Sequence, residues 1–194
     1  MKRKMIIAVL IVVLSGATLV IIQMRRHGFS ARENPSWLEA AIARRLRNFA
    51  IPASARKTTN PYPFTDARRR SARDHFIAHC AVCHGPDGRG NTPIGRNLYP
   101  KVPDLTSAET QQLTDGELYY IISNGVRFTG MPAWGDEDRP ESIWELVAFI
   151  RRLPHLSPEE REQLEKLFES REHGEEGEAT GTHTHGPEAE PHHH

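Results

Sequence analysis

At 194 residues the chain is short for more than one domain with appendages, since a single hydrophobic core seldom serves many more than about 100 to 150 residues. Lys plus Arg and Asp plus Glu are equal at 25 each, which leaves no basic excess to suggest nucleic acid or another polyanion as a partner. The charge is uneven all the same, because eleven Glu against three basic residues over 158–194 put about −8 there and about +8 on the rest.

Lys2, Arg3 and Lys4 precede residues 5–22, a run of 18 mostly aliphatic residues broken only by Ser15, Gly16 and Thr18. As a helix this run covers about 27 Å, close to the hydrocarbon thickness of a bilayer. A cleaved signal peptide would show a shorter apolar part and a small-x-small site, and the residues after Val20 offer none. Residues 1–27 are therefore expected to be a retained, single-pass membrane anchor through residues 5–22. Its three leading basic residues, against Arg25 and Arg26 behind it, favour a cytoplasmic amino terminus and export of everything after Met24.

Residues 28–65 are expected to be a linker containing an amphipathic helix over 37–49, with Trp37, Leu38, Ala41, Ile42, Leu46 and Phe49 at helical period. Arg44, Arg45, Arg47, Arg56 and Lys57, and then Arg68, Arg69, Arg70 and Arg73, lie on or around it, a belt that anionic lipid head groups would attract and that a merely solvated helix face would also explain. After the Asn60-to-Pro63 breaker, a helix over 66–79 delivers its end into the only two cysteines. Residues 85–112 read as a long ordered loop, and such loops are uncommon unless functional. Thr114 and Glu117 form a capping-box pair opening a helix that stops at Asn124 and Gly125. A loop over 126–138 leads to an apolar helix from Pro140, with Ile143, Trp144, Leu146, Val147, Phe149, Ile150 and Leu153 on one face.

The main domain is thus expected over 66–156. A charged helix over 157–172 and a disordered tail rich in His and Glu over 173–194 should follow. No useful period-2 alternation appears, so the fold class is all-α.

The chemistry sits in Cys80, Ala81, Val82, Cys83 and His84. A disulfide closing so short a loop would restrain little of the unfolded chain. Tetrahedral structural zinc needs a further ligand, and a thioredoxin-like pair needs a βαβ context that is missing. In the C-x-x-C-H arrangement two thiols on one turn add across the vinyl groups of a haem while the adjacent imidazole coordinates its iron, which assigns one covalent haem c. For the sixth ligand, Met1, Met5 and Met24 belong to the anchor, leaving Met131 between Gly130 and Pro132. A thioether opposite His84 would raise the potential and keep small molecules off the iron.

The run from Cys80 to Gly88, then Pro103, Asp104 and Leu105, then Gly130 to Trp134, resembles a class I c-type cytochrome over roughly 66–153. The resemblance implies a cytochrome c-like helical domain whose first and last helices cross, enclosing one haem in a cleft between loops. It also implies thioethers on Cys80 and Cys83, a proximal His84 and a distal Met131, and Leu105 packed on the haem. The Pro103 carbonyl would accept the His84 ring N–H, with Pro100 a nearby competitor. Arg96, Tyr99 and Trp134 are candidates to hydrogen-bond the haem propionates and could equally be surface or core residues. His75, His79 and His155 read as surface or packing residues.

The expected function is electron transfer outside the cytoplasm at the inner membrane, facing the periplasm. The chain would not be an enzyme by itself, and its redox protein partners are not legible. One alternative is a haem-bearing relay subunit of a larger membrane oxidase, reductase or dehydrogenase. Another is a gas or redox sensor, which would need Met131 displaced. His183, His185, His192, His193 and His194 suit weak divalent-metal binding.

Overall fold

The computed structural model describes residues 2–28 and 30–179, without the side chains of 27 and 174–179. Among these residues every regular element is helical. The first, α1 (Lys2–His27), has a mean hydropathy of 3.0 over its apolar window and is not buried against the rest of the chain, so it is long and apolar enough to cross a membrane. Helix α2 (Trp37–Ala50) starts where the Ser36 hydroxyl accepts the Glu39 N–H, and a short α3 (Ala53–Lys57) follows.

Residues 51–65, expected as linker, pack onto the domain. Ile51 is buried, and Asn60 Nδ2 donates to the Trp144 carbonyl at 3.0 Å. Arg56 Nε lies 3.3 Å from the buried Glu117 carboxylate. Gly116 lets α3 approach closely: a Cβ there would stand 1.8 Å from the Ala55 carbonyl oxygen.

Within the domain, α4 (Asp66–His75) begins at Thr65, whose hydroxyl accepts the Arg68 N–H. It does not stop at His79. It passes through one π-helical turn, Phe76–Cys80, into α5 (Ala81–His84), so a single continuous helix carries both cysteines and the histidine. Such turns are frequent at functional positions, because the extra residue re-aims the side chains that follow.

The expected long loop contains α6 (Pro93–Asn97) and α7 (Ala108–Gln111), capped by Thr92 and Ser107. Both were hidden because five and four residues are too short for an apolar period to show. Helix α8 (Asp115–Asn124) starts with the expected capping box, and α9 (Pro140–Arg152) buries all the apolar residues assigned to it before Leu153, which is itself buried.

The core forms where α4 packs on α9 and α9 on α8. Phe76 meets Phe149 with ring centroids 5.2 Å apart, and Tyr119 stacks on Trp144 at 4.3 Å. Fully burying side chains of this size is worth about 1.5–3 kcal/mol each, so this layer holds the helix that bears the cysteines.

Helix α10 (Pro158–Ala179) opens with a second capping box: Glu160 accepts the Ser157 N–H at 2.9 Å, and Ser157 Oγ accepts the Glu160 N–H at 3.2 Å. Its Leu164 is buried and packs toward the π-helical turn, so the helix expected to lie outside the core contributes to it. The helix extends past its expected end near 172, consistent with the low cost of adding residues to a helix already nucleated. Residues 180–194, with all five tail histidines assigned to metal binding, lie outside the described residues.

Candidate haem site

Cys80, Cys83 and His84 are presented by consecutive turns of one helix held from beneath by Ala81, which is fully buried. Both cysteines are free thiols. Burial pushes the Cys80 thiol up to about 12, with Asp138 and Cys83 adding to the shift, and burial also raises Cys83. Neither is a ready thiolate, which removes the basis for a thioredoxin-like exchange pair.

His84 is buried, and burial brings its pKa down to about 4, so the imidazole is neutral at ordinary pH, the state in which it can ligate a metal. The Pro103 carbonyl opposes this shift. It faces the ring without full hydrogen-bond alignment, because Nδ1 makes no hydrogen bond and is one of the few buried polar side-chain atoms without a partner. A buried, neutral imidazole whose Nδ1 faces the Pro103 carbonyl, beside two thiols on one turn, fits the demands of a haem c.

The loop after α5 supports this turn. Thr92 Oγ1 donates to the Val82 carbonyl at 2.8 Å and accepts the Gly95 N–H at 2.8 Å, tying the start of α6 to the carbonyl end of the motif. Gly95 sits against it so closely that a Cβ would lie 2.4 Å from the Cys83 carbonyl oxygen. Sequence reading missed Thr92 and Gly95, although Thr92 followed by Pro93 is a helix-start signal.

The second loop packs against Leu98, just past α6, and against His75 and His79. Gly130 lies against the Leu98 side chain, where a Cβ would come within 2.9 Å. Trp134 approaches His79 and His75 with ring centroids 5.5 and 6.4 Å apart. Met131 is half-buried against the core cluster that Cys80 also borders. Its carbonyl accepts the Val126 N–H at 3.1 Å, and its own N–H donates to Thr129 Oγ1 at 3.1 Å. Gly125, at φ +64, makes the turn into this loop and has no room for a side chain, since a Cβ would lie 2.7 Å from the Met131 carbonyl oxygen.

The remaining candidates divide. Leu105 is buried in the core, and its N–H donates to the Gly88 carbonyl at 2.8 Å. Pro103 itself is exposed. Arg96 is exposed and donates to Asn91 Oδ1 at 2.9 Å. Tyr99 points away from the motif to α2, where its hydroxyl donates to Glu39, and this bond is the main reason its pKa rises to about 12. His75 pairs with Asp138 at 3.2 Å. Among the described residues no group of three or more His, Cys, Asp and Glu side chains is placed to hold a free metal ion.

The family model for "Cytochrome C oxidase, cbb3-type, subunit III" matches residues 67–150. The "Cbb3-type cytochrome c oxidase subunit FixP" of Azorhizobium caulinodans is 33% identical over 98 residues, covering 46% of this chain and 28% of that protein. The chain therefore spans less than a third of the length of this relative. A chain of the Kuenenia stuttgartiensis reducing HAO-like protein complex aligns at TM-score 0.45 with 22% identity, over 48% of this chain and 46% of that one. Together with the all-helical core and the motif helix, the family match and the relative identify residues 67–150 as a c-type cytochrome domain, borne on a chain whose first helix is long and apolar enough to cross a membrane.

Proposed function

We propose that this chain carries electrons through one haem c, attached covalently at Cys80 and Cys83 and ligated by His84 and Met131, at the outer face of the cytoplasmic membrane. The observation that carries the reading is the helix end itself: two thiols and a buried, neutral imidazole on one turn. A haem held there supplies a one-electron ferric/ferrous couple. The chain's own part is to keep that couple unchanged in geometry. Ala81 and Phe76 anchor the motif from below, the Pro103 carbonyl favours one orientation of the His84 ring, and the turn at Gly125 sets the loop that offers the Met131 sulfur. Ligation by both His84 and Met131 would leave no open position for a substrate, so the chain would carry electrons and would not be an enzyme by itself. The amino terminus lies in the cytoplasm and the domain in the periplasm, by the excess of Lys2, Arg3 and Lys4 over Arg25 and Arg26.

The family match and the Azorhizobium relative, both named for cbb3-type oxidase subunits, favour a second reading in which the same domain relays electrons inside a larger membrane complex. Its redox partners would then be the other subunits.

Covalent attachment is tested by co-expression with a cytochrome c maturation system, followed by mass measurement of the denatured chain and of its peptides. One haem mass retained on the peptide containing Cys80 and Cys83 supports the assignment, and a chain stripped of haem by denaturation overturns it.

A further inference from the structure

Helix α2 is attached to the cytochrome domain by its polar side. Glu39 accepts the Tyr99 hydroxyl, Arg44 Nε lies 3.5 Å from Glu109, and the Asn48 carbonyl accepts a guanidinium N–H of Arg56. Ala40 and Arg47 are partly buried on that side. An amphipathic helix in a water-soluble protein docks its apolar stripe instead. Here Leu38, Ile42, Leu46 and Phe49, spaced by four, four and three residues, point outward. Ile42 is 50% exposed, Leu46 62% and Phe49 89%, and no residue of the helix is buried.

Two observations name what covers this stripe. The first is continuity with the span: only residues 28–36 separate α1 from α2, and nine residues reach at most about 30 Å, so α2 starts close to the surface from which α1 emerges. The tether is also held, because Lys101 Nζ donates to the Ala31 carbonyl at 2.7 Å. The second is charge. Arg25 and Arg26 close α1 at the surface near which α2 starts, and an anionic headgroup layer would attract them there.

We propose that α2 lies flat in the headgroup region of an anionic bilayer, its Leu38, Ile42, Leu46 and Phe49 stripe inserted to the acyl boundary. The domain then does not swing on a flexible tether. The Glu39–Tyr99 and Arg44–Glu109 contacts fix the cytochrome domain against a membrane-bound helix, so the candidate haem site keeps one height and orientation above the bilayer. Helices of this kind insert roughly 5–10 Å deep, enough to remove the stripe from water while leaving Arg44 and Glu39 outside. The inference rests on the reading that α1 spans the membrane.

The test uses the full-length haem-loaded chain in vesicles of phosphatidylcholine with a third phosphatidylglycerol, in which Cys80 and Cys83 are occupied by haem and one cysteine is introduced for a spin label. Labels are placed by Val13→Cys in α1, by Leu38→Cys, Ile42→Cys, Leu46→Cys and Phe49→Cys on the stripe, and by Ala43→Cys at an exposed position off the stripe. Collision with oxygen and with a water-soluble nickel complex reports depth. The expected result is loss of nickel collision at 13, 38, 42, 46 and 49 and its retention at 43. Aqueous readings at 42 and 46 with a lipid reading at 13 overturn the inference and leave the anchor intact, whereas an aqueous reading at 13 removes the anchor reading itself. Shielding at 42 and 46 that persists in detergent with spin–spin broadening assigns the stripe to a second copy of the chain and also overturns the inference.

Discussion

Replacing Gly95 by Ala sets two effects of opposite sign against each other. Gly95 lies inside α6 with ordinary helical backbone, and there Ala is favoured by at most about 1 kcal/mol. The added Cβ, however, would stand 2.4 Å from the Cys83 carbonyl oxygen, 2.5 Å from the Gly90 carbonyl oxygen and 3.0 Å from Thr92 Oγ1. Close carbon-to-oxygen contacts settle near 3.3 Å, so α6 or the motif turn must retreat by about 1 Å. Forcing a methyl group into a packed site costs about 1–3 kcal/mol. The contact should therefore win, with a net loss of about 1–2 kcal/mol, read as a fall of roughly 5 to 15 °C in the midpoint of thermal unfolding. Because the displaced atom belongs to Cys83, the fraction of chain carrying haem after maturation should fall as well. Unfolding of the holoprotein followed by circular dichroism, with haem content per chain, measures both. A Gly95→Ala protein as stable as the parent or more so, with full haem content, would falsify the claim that α6 buttresses the motif turn.

The Tyr99 phenol, held up to about 12 by its bond to Glu39, should stay protonated through pH 10 to 11, where an ordinary tyrosine ionises. Its folded pKa lies above the unfolded value of about 10, so whatever the pair contributes is present below pH 10 and is lost as pH rises toward 12. Ultraviolet difference titration of the parent against Tyr99→Phe reads this directly; Glu39→Ala should return the midpoint toward 10, and an unmoved midpoint would deny the contact between α2 and the domain. At Gly116, where a Cβ would meet the Ala55 carbonyl oxygen at 1.8 Å, Gly116→Val should push α3 off α8 at a cost of about 1–3 kcal/mol. Limited proteolysis should then cut between residues 51 and 60, and a resistant variant would mean that this segment is not held by that approach.

What the sequence disclosed and what it hid divide along physical lines. Long apolar periods and side-chain caps were readable: the long apolar helix α1, the capping box at Thr114 and Glu117, and the buried face of α9 all appear where expected, because each is written in residues a few positions apart. Close approaches of distant backbones were not readable. Gly95 against Cys83 and Gly116 against Ala55 depend on spacing between segments, and a glycine in sequence does not say what it makes room for. The π-helical turn at Phe76–Cys80 was invisible for a related reason, since one extra residue in a turn leaves the apolar pattern almost unchanged. The contact of Tyr99 with Glu39 was not readable, because 60 residues separate them and only the placement of α2 brings them together. Leu164 was set aside with a charged helix because its few apolar neighbours are diluted by glutamate, yet it is buried.

The central claim is ligation by His84 and Met131, and the most direct measurement is the absorption spectrum of the matured full-length protein and of Met131→Ala, oxidised, reduced, and reduced under carbon monoxide. The account predicts that the parent shows a sharp reduced α band, the weak far-red ferric band of sulfur ligation, and no change with carbon monoxide, whereas Met131→Ala loses the ferric band and binds the gas. Ready carbon monoxide binding by the parent, or a Met131→Ala spectrum identical to it, would contradict the account.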